Sequence, residues 1–476
     1  MAKTYKAPGV YLEEVAKFPP SVAPVETAIP VFIGCTEFVK DELLNLETQI
    51  SDKAFKAKRI SSLLEYESYF GAGNSEHQAL KGEIIEDTQT KSYKKINVTP
   101  DKNGVSGYYM YYSVKMFYAN GGGPCYILST GDYSKPFGDE DGHAALEVVA
   151  DNDEPTIIVF TDRHVAKTEN SSGYAKLYNS TLAICAKLKD RIAVFDSWIF
   201  TTNISEDARL IREEFGNVNL KYGAVYYPWL TSGLAYTVDE SKFRVNHIIN
   251  GLAGIYDKKS LYEIGMLNVD LYNIFKAELQ KLNIDVPPSG AVVGIISATD
   301  RTRGVWKAPA NVSLNLVKKP VVELSKFNVE ELNIDSNEGK SMNSIKTFIG
   351  KGAVVWGARS LAGNDNEWRY ISTTRFCNFV EKSVRKSAES FVFEPNDANT
   401  WVRIKGMCEN FLIQLWRTGA LLGNKPEQSF YVKVGLNSSM TAKDILEGKM
   451  ILEVGLAVTR PAEFIIVKLS VNMIST

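Results

Sequence analysis

The side chains best placed for chemistry are two carboxylates, Asp162 and Asp196, each at the end of a short apolar run, with His164 close to the first. Ligands of open α/β sheets gather at the carboxyl ends of strands, and two carboxylates there could hold a metal or serve a hydrolase or phosphatase. The competing reading is that each aspartate caps a strand-to-helix turn through its side-chain oxygen. Other candidates are weaker. Gly121-Gly122-Gly123 lacks the spacing of a dinucleotide fingerprint, precedes the apolar run 125–129 rather than a helix, and is followed by Pro124, which has no N–H for a phosphate. A tight turn is expected there. Gly339-Lys340-Ser341 resembles the end of a P-loop, but Ile334 stands at the position of its first glycine and no apolar strand leads in. The four histidines, His77, His143, His164 and His247, have no pair at metal-ligand spacing, and neither HExxH nor GxSxG occurs. A chain of 476 residues this poor in catalytic signals points to a structural role, with no catalytic residue, cofactor or metal expected.

The elements that carry the two aspartates define the fold class. The runs 157–160, 192–195 and 224–227 are short and wholly apolar, as central parallel strands are when both sheet faces are covered. Between them Tyr178, Leu182, Cys185 and Leu188 share one helical face, and Ala208, Ile211 and Phe215 another. Strand and helix in alternation predict an α/β domain over 108–314 with a largely parallel sheet. Residues 1–30 read as an arm with a Pro-rich linker, 31–107 as a first core strand (31–35) followed by a variable segment, turn-rich over 91–107, and 315–343 as a connection. Residues 344–462 read as an α+β domain: a strand at 353–356 and a helix at 376–389 with Phe376, Phe379, Val380 and Val384 inward. A longer helix follows, with Ile404, Met407, Cys408, Phe411, Leu412 and Leu415 on one face and a stop at Gly423 and Pro426. Strands at 430–434 and 450–458 then flank a short helix that Thr441 could cap. The fold class is therefore α/β plus α+β.

Both ends read as strands with no partner nearby in sequence. In 463–476, Val467, Leu469, Val471 and Met473 alternate with Lys468, Ser470 and Asn472. At the start, Val10, Tyr11 and Leu12 follow a Pro8-Gly9 turn, and Pro19, Pro20, Pro24 and Pro30 then keep the backbone extended. Such arms leave backbone groups unpaired, and completing a sheet in a neighbouring copy satisfies them; the alternative is that they fold back on their own domain. With 54 Lys+Arg against 56 Asp+Glu, the chain has no general bias toward nucleic acid or an anionic membrane. No apolar h-region follows Met1, and the apolar helical segment 411–423 is too short to span a bilayer, so synthesis in the cytoplasm without a signal peptide is expected. Cys35, Cys125, Cys185, Cys377 and Cys408 are odd in number and form no CxxC pair, and read as reduced, buried residues.

The segments APGVYLEE, PPSV and ETAIPVFIG near the start, NGGGPCYI, YGAVYYPW and VPPSGAVVGIISATDRTRGVWKAPAN in the middle, and VWGARSL, EWRYIST, FEPND, LWRTGALLG and RPAEFII near the end resemble, in order, the landmarks of contractile tail sheath proteins. GNDNEWRY looks closer to the sheaths of extracellular injection particles than to those of phage tails. Thr374-Arg375 departs from the family's two consecutive basic residues. The resemblance implies a non-catalytic sheath subunit that stacks in rings as a helical homo-oligomer around an inner tube protein, between baseplate and terminal cap proteins, in a released or cytoplasmic particle or a virion. It implies an α/β domain lying outward and a C-terminal domain forming the inner wall. It also implies that arms carrying Val10, Tyr11, Leu12, Val467, Leu469 and Val471 add strands to neighbours, with a hinge at Pro19, Pro20 and Pro24, and no nucleic acid or membrane insertion.

Overall fold

The computed structural model describes residues 21–40, 57–87, 92–101, 104–162, 172–198, 203–335 and 337–464. Nine strands form the main sheet: β1 (Pro30–Gly34), β2 (Lys58–Ile60), β3 (Cys125–Ser129), β4 (Ile157–Phe160), β5 (Ile192–Asp196), β6 (Gly223–Tyr227), β7 (Val312–Ser313), β8 (Asn343–Phe348) and β9 (Gly352–Val355), in the spatial order β7-β9-β8-β6-β5-β4-β1-β3-β2. From β8 to β3 all neighbours run parallel, while β2, β9 and β7 pair antiparallel at the edges. Every residue of β1, β3, β4, β5 and β6 is buried, which is why these strands lack the polar alternation of a one-faced sheet. The α/β expectation holds for this sheet.

Two helices that pack closely on each other flank it, Met110–Ala119 and Ser289–Arg303. Phe117 of the first meets Phe32 of β1 edge to face, with ring centroids 5.3 Å apart. Gly290 and Gly294 of the second let the backbones approach: a Cβ at Gly290 would stand 2.4 Å from the carbonyl oxygen of Ser113, and one at Gly294 2.6 Å from that of Phe117. Of the predicted helical faces, Tyr178, Leu182, Cys185, Ala208, Ile211 and Phe215 are buried, and Leu188 is partly exposed.

Three segments differ from the sequence reading. β1 does not head a separate segment but lies between β4 and β3 in the middle of the sheet, a position set by pairings about 100 residues distant in sequence. The stretch expected to be turn-rich over 91–107 contains the strand Ser92–Pro100, paired antiparallel with Leu80–Asp87 in a four-stranded sheet completed by Val245–Ile249 and Leu252–Ala253; Ile96 and Val98 carry its period of two. The connection expected over 315–343 holds the strand Val317–Pro320 and the helix Lys326–Asn333, capped by Ser325. The boundary drawn at 344 separates β8 and β9 from the sheet they complete. The chain divides instead into two compact units, Glu26–Asn378 with Arg460–Thr476, and Met1–Val25 with Phe379–Thr459.

In the smaller unit the helix Ala398–Arg417 buries Ile404, Met407, Cys408, Phe411, Leu412 and Leu415, the face its spacing predicts, and Asp397 caps it by accepting the N–H of Thr400 (2.9 Å). It ends before Gly423: Gly419 adopts φ 83° and the N–H of Ala420 closes on the carbonyl of Leu415. The helix Ile371–Ala388 begins five residues before the predicted 376. Thr374 on it is buried, and Arg375 forms a bidentate pair with Asp300 of the larger unit to which both belong.

Candidate assembly surface

The smaller unit carries a two-stranded antiparallel sheet, β10 (Phe430–Lys433) and β11 (Glu453–Leu456). Val432 faces inward, whereas Tyr431 and Lys433 are exposed and reach across to Glu453, the tyrosine hydroxyl donating at 2.8 Å. Gly455 makes room for the Tyr431 ring, since a Cβ there would lie 2.1 Å from it. Thr441 caps the Ala442–Leu446 helix between the strands, as its sequence position predicts. Beyond β11 the N–H of Ala457 donates to Ser429, its carbonyl accepts from Leu422, and the N–H of Thr459 donates to Ala420. The N–H and C=O of one residue point to one edge of a strand. All these partners therefore lie on the β10 side, and the opposite edge of β11 pairs with no strand among the described residues. A two-stranded sheet with open edges is marginal alone and is a template for added strands.

The described residues that adjoin the two expected arms are held in place. Toward the amino end, Val22 is buried, and the N–H groups of Ala23 and Val25 donate to the hydroxyls of Ser387 (3.3 Å) and Ser383 (3.1 Å), one helical turn apart. Pro24 is exposed between two anchored residues, so the backbone at this part of the expected hinge is fixed on either side. Toward the carboxyl end, Glu463 is gripped by Arg359: Nε at 2.9 Å from Oε1 and Nη2 at 2.6 Å from Oε2. Asn333 donates to the same carboxylate at 2.8 Å and the Tyr370 hydroxyl at 3.0 Å. Burial pushes the Glu463 carboxyl up, but the hydrogen bonds and charge of Arg359, with those of Asn333 and Tyr370, outweigh it and hold the group below the usual carboxylate range. Val10, Tyr11, Leu12, Pro19, Pro20, Val467, Leu469 and Val471 lie outside the described residues.

Sequence reading treated Glu463 only as the start of an arm and did not single out Arg359. The signal was the VWGARSL segment itself. Arg359 and Tyr370 form an antiparallel bridge, and Asn343 at the start of β8 fastens Arg359 by accepting its N–H (2.7 Å) and donating to its carbonyl (2.8 Å). Gly357 and Gly363 permit this: a Cβ at the first would meet Asn343 Oδ1 at 2.7 Å, and at the second Ser341 Oγ at 1.7 Å.

Asp162 and Asp196 stand at the carboxyl ends of β4 and β5, where the sequence reading put them, but both are engaged as helix caps. Helix Met110–Ala119 starts at Tyr109 and helix Ser289–Arg303 at Pro288, neither of which has a side chain able to cap. Asp162 Oδ1 accepts the N–H groups of Tyr109 (2.8 Å) and Met110 (3.1 Å), and Oδ2 accepts that of Cys35. Asp196 Oδ1 accepts the N–H of Ser289 (2.8 Å). Burial pushes Asp162 up to about 6 and Asp196 up to about 7, against these hydrogen bonds. His164 lies outside the described residues.

Lys340, from the near-match to a P-loop, is buried and donates to the carbonyls of Arg212 (3.0 Å) and Phe215 (2.6 Å) and to Glu338 (2.7 Å). Gly121 has φ 90° in a turn before β3. His247 is buried, with Nε2 3.1 Å from Glu86 and Nδ1 accepting the N–H of Tyr256. Among the described residues no group of three or more His, Cys, Asp or Glu is placed to hold a metal ion, and no helix is long and apolar enough to cross a membrane. Among the described residues no disulfide joins the five cysteines; four are buried, with burial pushing Cys125 and Cys185 up to about 12 and Cys408 to about 11.

Residues 363–472 match the model of the phage tail sheath C-terminal domain. A tail sheath protein of Vibrio phage KVP40 is 23% identical over 136 residues, which span 29% of this chain and only 20% of that relative. Over nearly the full length the chain is similar to the contracted sheath of PVC, an extracellular contractile injection system (27% identity, 98% of each chain, TM-score 0.64). It is similar also to the contracted helical sheath of the anti-feeding prophage (28% identity, 98% of this chain and 99% of that one, TM-score 0.63). The domain model at the carboxyl end and whole-chain likeness to two contracted sheaths agree with the order of motifs along the sequence: residues 363–472 match the phage tail sheath C-terminal domain, and the whole chain is similar to contractile sheath subunits.

Proposed function

We propose that this chain is the structural subunit of the contractile sheath of a phage-tail-like injection particle, polymerising around an inner tube by exchange of terminal strands between copies. The observation that carries this reading is likeness over 98% of the chain to sheath subunits of extracellular injection systems. The open edge of β11 supports the exchange, because it offers unpaired backbone groups to a strand from another copy. Partners on this reading are further copies of the chain, an inner tube protein, and baseplate and terminal cap proteins. Likeness to sheath proteins supports a non-enzymatic role, and on this reading the energy for work comes from the assembly: the extended sheath is metastable, and contraction lets subunits rotate into tighter lateral packing without nucleotide hydrolysis by this chain. The hydrogen bonds of Ala23 and Val25 support a hinge that bends at Pro19 and Pro20 more than at Pro24.

Deletion of residues 1–15 is expected to give a folded chain that forms no tubes by electron microscopy; tubes of normal length from that deletion would refute the exchange. The match to a phage tail sheath domain favours a second reading, the sheath of a contractile phage tail. Neighbouring genes for toxin cargo support the first reading and genes for a capsid the second.

A further inference from the structure

The stretch 460–464 is attached in an unusual way. Among the described residues none of its backbone N–H groups is paired, Phe464 is 66% exposed, and Glu463 alone makes its side-chain hydrogen bonds. The receiving site is the opposite of loose. Arg359 is 3% exposed, its main chain is fastened on both sides by Asn343, and its Nη1 donates to the carbonyl of Asn333 (3.1 Å). A rigid, buried guanidinium thus waits for one carboxylate, supplied about 100 residues later in the chain.

We propose that Glu463 is a pinned swivel for the carboxyl-terminal strand: the Arg359, Tyr370 and Asn333 socket fixes where that strand leaves the body, while the unpaired backbone on either side leaves its direction free. The inference rests on the strand-exchange reading, and it adds the residue that sets the position of the donated strand. The amino-terminal root is built differently. There two backbone N–H groups are bonded in succession, at Ala23 and Val25, which fixes direction as well as place. When subunits rotate against one another during contraction, a strand already paired to a neighbour must turn relative to its own body. A single side-chain attachment permits that turn without moving the root, whereas a main-chain ladder would resist it. Glu463 and Arg359 are positioning residues in this scheme, and their effect is on order in the assembly.

The test uses the full chain and three variants, Glu463→Gln, Tyr370→Phe and the double variant Arg359→Met/Glu463→Leu, beside a deletion of residues 465–476. The double variant leaves no unpaired buried charge, so it reports on the socket even if the glutamine variant folds poorly. The expected result is that the double variant keeps the melting temperature of the unassembled wild type within a few degrees. It requires at least tenfold more protein to form tubes, and the tubes have smeared helical layer lines, with Tyr370→Phe intermediate. Tubes of wild-type order and wild-type critical concentration from the double variant would overturn the swivel. If the 465–476 deletion also assembles normally, strand exchange itself fails; if only the deletion is blocked, strand exchange stands and the swivel alone is lost.

Discussion

Asp196 and Asp162 place charge where a carboxylate is costly, and pH reads that cost. Their folded-state values, about 7 and about 6, lie above the roughly 3.9 of an unfolded aspartate, and burial alone takes Glu214 to about 8. A raised carboxyl binds its proton more tightly in the folded chain. Its favourable contribution is therefore complete below about pH 4 and is lost as pH rises toward the folded value, on the order of 4 kcal/mol at most for Asp196 by pH 8. Asp196→Asn keeps an oxygen for the N–H of Ser289 and cannot ionise. Its melting temperature relative to wild type is expected to rise between pH 5 and pH 8.5, measured by circular dichroism; a difference that does not change with pH would contradict the assignment. The capping role was partly legible, because aspartates after strands commonly cap turns. That each serves a helix start distant in sequence was not, since nothing local ties Asp162 to Tyr109 or Asp196 to Ser289.

Among elements, the crossing of helices Met110–Ala119 and Ser289–Arg303 brings two backbones into direct contact. Gly290→Val would drive a branched side chain into the carbonyl of Ser113, and a loss of about 3 kcal/mol is expected in denaturant unfolding, against well under 1 kcal/mol for a substitution at exposed Gly251 such as Gly251→Asn. Equal losses at the two positions would remove the close-approach argument. The parallel strands were legible because strands buried on both faces are written as unbroken apolar runs, as in β4 and β5. The helix Ala398–Arg417 was legible because its face repeats at three and four residues. Edge strands were harder. Ser92–Pro100 mixes lysine and asparagine with its two inward apolar residues, and β8 and β9 belong to the main sheet only through the parallel pairing of Asn343 and Ser344 with Tyr226 and Tyr227, which local pattern cannot express. The Glu463 socket was invisible for the same reason.

At the scale of the molecule, two compact units of unequal size carry unequal burdens. The smaller holds the open-edged β10 and β11 sheet, so calorimetry of the unassembled chain is expected to show two transitions, the lower from this unit. In tubes the lower transition should move up or merge with the other, because strands from neighbours bind only the folded form; a lower transition unmoved by assembly would argue against edge completion. The smaller unit is also assembled from segments far apart in the polypeptide. Val25 waits for Ser383, which follows 358 residues later, and at ribosomal speeds that interval is roughly twenty to seventy seconds. A nascent chain therefore has no finished docking module until residues 379–459 have been made. Broken or half-made products lack the piece that would let them join a growing tube, and the genetic order of the chain itself screens what may enter the polymer.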